Sequence, residues 1–109
     1  MSDSPGVHNP KKIDLITRTK TDEIVLVMIE DRPWDGGEDR LAELQDKINN
    51  YLAFALDGAL FQQIPEAKDK RVIIRLDCSH EPDTATLDFI DAVRRQIEPE
   101  HIPITINVR

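Results

Sequence analysis

The chain has 109 residues, of which 39% are hydrophobic and 32% charged, and its net charge is −7. This length fits one domain with an ordinary core, and the acidic balance argues against nucleic acid and anionic membranes as partners, because both require a basic surface. Cys78 is the single cysteine, and no apolar run approaches the roughly 18 residues of a membrane span, so we expect a cytoplasmic protein without an intrachain disulfide.

The first eleven residues are rich in Ser, Asp, Gly and Pro, which predicts a flexible tail (1–11) ahead of a single α+β domain (12–109). The domain begins with a strand whose residues alternate in character. Alternation predicts Ile13, Leu15 and Thr17 on the buried side, and it predicts Asp14, Ile16 and Arg18 on the opposite side.

The second strand, residues 23–30, reads E-I-V-L-V-M-I-E and should form a hairpin with the first. A strand that covers a core on one side alternates apolar and polar residues. Six consecutive apolar residues therefore predict that both faces of this strand need cover.

A helix follows from Glu38 to about Asp57, with an apolar stripe centred on Ile48. Phe54 lies about 120° from that stripe, so it is either lightly exposed or covered by something outside the helix. The next apolar segment, residues 60–64, is ambiguous and could be a short extended piece.

A third strand spans residues 71–78, a second helix spans residues 84–98, and a last strand spans residues 102–109. The pattern predicts a two-layer α+β sandwich in the order ββα(β)βαβ. Its four- or five-stranded mixed sheet would carry both helices on one face, because right-handed crossovers keep them on the same side.

The other sheet face would then be uncovered, with an apolar centre from the second strand and a polar rim, as in many interfaces. Self-association through this face or an edge strand, cover by the tail or by residues 58–70, and simple exposure are the alternatives. The candidate interaction residues, including two outside the face, are Ile16, Arg18, Trp34, Phe54, Ile73, Arg75, Asp77, Thr105 and Asn107.

Four acids surround the start of the first helix: Asp31, Asp35, Glu38 and Asp39. They could hold a divalent cation, but the D-x-x-E spacing favours a capping box. Trp34 either packs over the helix start or serves as an anchor for a partner.

Cys78 and His80 stand where a strand gives way to a helix, a position that often carries chemistry. Alternation places Cys78 on the buried face, which favours a structural role. Arg18, Arg75 and Arg109 could converge on an anion, although pairing with nearby aspartates is the simpler interpretation. We predict no catalytic residue, no metal site and no cofactor.

The turn Trp34-Asp35 and the helix L-Q-D-K-I-N-N-Y-L-A-F (44–54) resemble a family of small bacterial proteins known only as a domain of unknown function. The resemblance spans most of residues 13–108. It implies no activity or ligand. It does imply an extended segment at residues 60–64 and a role for Asn50, Tyr51 and Phe54 beyond filling the helix.

These observations predict a non-enzymatic domain that forms a homodimer or binds a protein partner. A second hypothesis is an anionic-ligand-binding protein or enzyme with a site flanked by Arg75, Asp77 and Asn107. A third is an accessory or immunity-like protein that binds another protein.

Overall fold

The computed structural model describes residues 6–7 and 12–109, and it confirms an α+β fold. The strands are β1 (Leu15–Arg18), β2 (Ile24–Glu30), β3 (Val72–Cys78) and β4 (Ile104–Val108). The helices are α1 (Glu38–Leu56), α2 (Ala59–Gln63) and α3 (Thr84–Ile97). Short 3-10 turns follow α2 and α3, at Pro65–Asp69 and Glu98–Glu100.

The sheet has the strand order β1-β2-β3-β4. β1 is antiparallel to β2, whereas β2, β3 and β4 are parallel to one another. Residues of α1 and α3, such as Ile48 and Ile90, share one buried cluster with Leu26 of β2. Both long helices therefore cover the same side of the sheet, which we call the helix face; the opposite side is the outer face.

The second strand is buried on both faces, as its unbroken apolar run predicted. Ile24, Leu26 and Met28 belong to the core beneath the helices. Val25 and Val27 point to the outer face, yet they are only 3% and 0% exposed. The centre of the outer face is thus already covered within a single chain.

The predicted orientation of β1 is wrong by one residue. Ile16 pairs with Leu26 and packs against the core, so it lies on the helix face, and Arg18 shares that parity. Leu15 pairs with Val27 on the outer face and is 50% exposed. A one-residue difference in parity moves every side chain of a strand to the opposite face.

Asp14 explains this orientation, because its carboxylate is turned inward to a buried lysine. Lys47 Nζ lies 2.7 Å from Asp14 Oδ1 and 2.6 Å from the carbonyl oxygen of Lys12. Both charged side chains are 0% exposed. Buried charges are stable only when paired and hydrogen-bonded, so this contact fixes which side of β1 faces the helices.

Tyr51 lies one helical turn after Lys47 and completes the same network. Its hydroxyl donates to the carbonyl oxygen of Val27 and accepts from the N–H of Asp14 at 2.8 Å. Asp14 Oδ2 in turn accepts from the N–H of Ile29 at 2.9 Å. Burial lowers the pKa of Lys47 even though Asp14 opposes the shift, and burial raises the pKa of Tyr51. The two helix residues thus fasten the start of β1 to β2.

The ambiguous segment after α1 is helical, so the fifth strand that the resemblance suggested does not form. It makes α2, and Leu60 and Ala67 join the core beneath the helices. This segment does not lie over the outer face. Of the predicted tail, Gly6 and Val7 are described and buried, and the N–H of Val7 donates to the carbonyl oxygen of Ile29. The rest of that prediction falls outside the described residues.

Candidate functional site

The register of the sheet brings five of the predicted interaction residues together on the outer face. They are Ile73, Arg75 and Asp77 of β3, and Thr105 and Asn107 of β4. Arg75 grips Asp77 with two hydrogen bonds, from Nε to Oδ1 at 2.7 Å and from Nη2 to Oδ2 at 3.1 Å. The cation that a ligand would need is therefore already neutralised within the strand.

The three arginines proposed to converge on an anion are separated. Arg18 pairs with Asp22 at 3.4 Å and Glu66 at 3.2 Å, on the helix-face side of β1. Arg109 pairs with Asp31 at 2.6 Å. Each guanidinium has carboxylate partners of its own, as the simpler interpretation held, although the partners of Arg18 and Arg109 are not those that the sequence suggested.

Phe54 and Trp34 are not free anchors. Phe54 is partly buried against the core. Trp34 also packs against the core; its indole N–H donates to the carbonyl oxygen of His80 at 3.0 Å, and the Arg40 guanidinium lies 5.4 Å from its ring centroid. Of the two interpretations of Trp34, the structure therefore supports packing over the start of α1.

β4 is one of the two edge strands of the sheet, and β1 is the other. The N–H of Ile74 donates to the carbonyl oxygen of Pro103 at 2.9 Å, and the N–H of Arg109 donates to that of Cys78 at 2.8 Å. In a parallel ladder alternate residues face the neighbouring strand. Residues 103, 105, 107 and 109 therefore face β3, so Ile106 and Val108 direct their backbone groups away from the sheet. Val108 is also 44% exposed.

The carboxyl end of the parallel strands is closed by an ion-pair network around a buried carboxylate. Glu30, the last residue of β2, is 2% exposed. Arg32 binds it through Nε and Nη2, both at 2.8 Å, and Arg40 Nη2 lies 3.3 Å from Oε2. Glu43 accepts from Arg32 at 2.8 Å. Burial acts to raise the pKa of Glu30, but the hydrogen bonds and charge of Arg32, with the charge of Arg40, hold it below its ordinary value.

The capping box predicted at the start of α1 does not form. Gly37 is the N-cap, and no side chain caps the helix. Asp35 instead accepts a hydrogen bond from the N–H of Gly37 at 2.8 Å. Within residues 6–7 and 12–109, no three His, Cys, Asp or Glu side chains are grouped so that they could hold a metal ion.

Cys78, at the end of β3, has the character of a core residue. It is fully buried, and burial together with the charge of Asp77 raises the pKa of its thiol to about 11. A thiol that stays protonated at neutral pH is a poor nucleophile.

The topology of the sheet also argues against a ligand site at this end. The crossovers of β2-β3 and β3-β4 run in the same direction, so this end lacks the strand-order reversal at which α/β sheets bind ligands.

A cavity of about 550 Å³ lies at the opposite end of the sheet, which we call the amino end, between the last turn of α3 and the start of β4. Its lining residues are Arg71, Arg94, Glu98, His101, Ile102, Pro103 and Ile104. This cavity was not among the sites predicted from the sequence. The sequence feature that could have indicated it is the presence of cationic residues on either side of the short connection from α3 to β4, where a helix ends and a strand begins.

The fold and these contacts define a two-layer α+β domain with a filled carboxyl end and with outward backbone groups along the edge strand β4. A family model described as "Family of unknown function (DUF6572)" matches residues 5–109. The chain belongs to that family, in agreement with the resemblance found in the sequence. No curated protein and no solved structure matches it. In the part of the chain that the structure describes, no helix has the length and apolar character needed to cross a membrane.

Proposed function

We propose that this protein is a self-associating domain and that a second copy of the chain pairs along β4. The observation that carries the proposal is the outward backbone of Ile106 and Val108, on the last strand of the sheet, to which no residue that the structure describes is hydrogen-bonded. An exposed row of N–H and C=O groups is a template for another strand.

The side chains of β4 favour such pairing. The strand reads I-T-I-N-V and contains no charged residue, no glycine and no proline. Natural edge strands that avoid pairing commonly carry lysine, proline or a bulge within the strand. Here Pro103 and Arg109 stand only at its two ends, so two copies would meet without like charges opposite one another.

A twofold axis at Ile106 gives the pairing the longest overlap. Antiparallel pairing about that axis sets Val108 opposite Ile104 of the partner subunit, and it joins two four-stranded sheets into one of eight strands. The outward carbonyl oxygen of Ile104 accepts from Arg94 Nε at 2.9 Å, and its second lone pair would accept from the N–H of the partner's Val108. The exposed part of the Val108 side chain would then lie against apolar neighbours. This arrangement pairs the outward backbone of β4 and covers an exposed hydrophobic residue.

Light scattering across a dilution series tests this proposal. We expect a mass of twice 12.5 kDa for the wild type. Val108→Pro removes the outward N–H without touching a hydrogen bond to β3, so it should shift the protein to the monomer. Val108→Ala is the matched control because it shortens the same side chain and keeps the N–H; it should remain largely dimeric.

A wild type that is monomeric at every concentration would refute self-association through β4. The proposal also fails if Val108→Pro dimerises as strongly as Val108→Ala, because the interface would then lie elsewhere. The far-ultraviolet circular dichroism of each variant must match that of the wild type for either comparison to count.

A further inference from the structure

We propose that the cavity at the amino end binds a small organic anion, a carboxylate or phosphate monoester carried on an apolar body. The proposal does not require self-association, because the ligand would meet side chains between α3 and β4; the two proposals share one atom, the outward carbonyl oxygen of Ile104, which orients Arg94.

The cavity has the size and lining of a ligand site. Its volume of about 550 Å³ falls within the range typical of small-molecule pockets, roughly 300 to 1,000 Å³. Ile102 and Ile104 are 8% and 3% exposed, so they form an apolar floor, with Pro103 between them. Arg71, Glu98 and His101 are exposed and form the rim. A ligand would thus meet hydrocarbon below and polar groups at the opening.

Arg94 is held in place for an anion before any ligand arrives. Its Nε donates to the carbonyl oxygen of Ile104 at 2.9 Å, and its Nη1 lies 2.8 Å from Asp91 Oδ1. Among the described residues, none accepts a hydrogen bond from Nη2. A guanidinium whose orientation is fixed by a backbone carbonyl loses less conformational entropy on binding than a free one.

The groups that line the cavity favour an anion over a cation. They are Arg71, Arg94 and His101 against the single carboxylate Glu98, whereas Glu23 and Asp91, which pair with Arg71 at 3.5 Å and with Arg94 at 2.8 Å, lie outside the lining. Arg71 is 63% exposed, and its ion pair with Glu23 is long, at 3.5 Å. Its side chain can therefore turn toward a ligand. The one carboxylate on the rim disfavours highly charged ligands, which is why we infer a single anionic group on an apolar frame.

An NMR titration of the full chain with benzoate, phenyl phosphate and benzamide tests this inference. Benzamide has the shape of benzoate without the charge. We expect benzoate or phenyl phosphate to shift the amide signals of His101, Ile102 and Ile104, and benzamide to leave them largely unchanged. The two anions separate a carboxylate preference from a phosphate preference.

Arg94→Gln and Arg95→Gln form a matched pair of variants. Arg95 is exposed in the same last turn of α3 but does not line the cavity. Loss of a charge-assisted hydrogen bond should weaken binding by about tenfold or more in Arg94→Gln, and Arg95→Gln should change it less than about twofold. Arg71→Gln, on an exposed side chain, gives a second test that does not risk the fold.

The inference is overturned if no anion shifts these signals at millimolar concentration. Equal shifts with benzamide would also overturn it, as would equal weakening by Arg94→Gln and Arg95→Gln, since binding would then reflect general surface charge.

Discussion

The two ends of the parallel strands differ in how the space beyond the strand ends is occupied. At the carboxyl end, Glu30 is enclosed by Arg32 and Arg40, and Trp34 packs over the start of α1. At the amino end, Arg71 and Arg94 border a cavity of about 550 Å³. Paired charges fill the first end, whereas the second end keeps a cavity with an apolar floor and a charged rim.

This difference shows that topology, and not fold class alone, decides where a sheet can accept a ligand. Open α/β sheets bind ligands at the carboxyl ends of strands where the strand order reverses. Here β2, β3 and β4 follow one another in order, so the strand ends do not part into a crevice. The protein seals that end with ion pairs, and its space for a small molecule lies at the other end.

The largest effect should come from breaking the seal at the carboxyl end. Glu30→Ala removes the buried carboxylate from Arg32 and the largely buried Arg40 and leaves them only the partly exposed Glu43, so it should lower the free energy of unfolding by about 3 kcal/mol. Urea denaturation measures this loss. Glu43→Ala is the control: Glu43 is 35% exposed, so its removal should cost less than about 1 kcal/mol. Equal losses in the two variants would contradict a seal centred on Glu30.

A smaller effect on the free energy of unfolding should appear at acidic pH. The folded pKa of Glu30 is below its ordinary value of 4.5, so the unfolded chain takes up the proton first. The stability from this carboxylate is present above about pH 4.5 and is lost as the pH falls through the lower folded pKa. Wild type should therefore lose more stability than Glu30→Gln over this range in urea denaturation. Parallel pH profiles of the two proteins would contradict the assignment.

The smallest effect should come from the rim of the cavity. Arg71 is 63% exposed, and its pairing with Glu23 at 3.5 Å is loose. Arg71→Ala should change the free energy of unfolding by less than about 0.5 kcal/mol, because exposed ion pairs add little stability. The same urea measurements, with Arg95→Ala as the control, check this value. A loss above about 1 kcal/mol would show that the rim is structural.

Sequence patterns were sufficient wherever one face of an element was plainly apolar. The parity of β3 follows from Val72, Ile74 and Leu76, and the need for cover on both faces of β2 follows from its unbroken apolar run. The orientation of β3 and the burial of β2 were predicted correctly because burial alone decides how hydrophobic side chains are oriented in these strands.

The pattern failed where a distant contact overrode it. In β1 both Leu15 and Ile16 are apolar, so alternation has two solutions, and the buried pair between Asp14 and Lys47 selects one. The segment after α1 is too short for its period to be recognised, and α2 forms where Leu60 reaches the core. The cavity was missed because its lining comes from the start of β3 as well as from α3 and β4.

The contact between Asp14 and Lys47 also orders events while the chain is being made. Asp14 leaves the ribosome 33 residues before the lysine that neutralises it, and Tyr51 follows later still. A carboxylate without its counter-ion stays in water, so the first hairpin cannot settle against a core during that interval. We therefore expect the N-terminal strand of this protein to dock only after α1 has been synthesised.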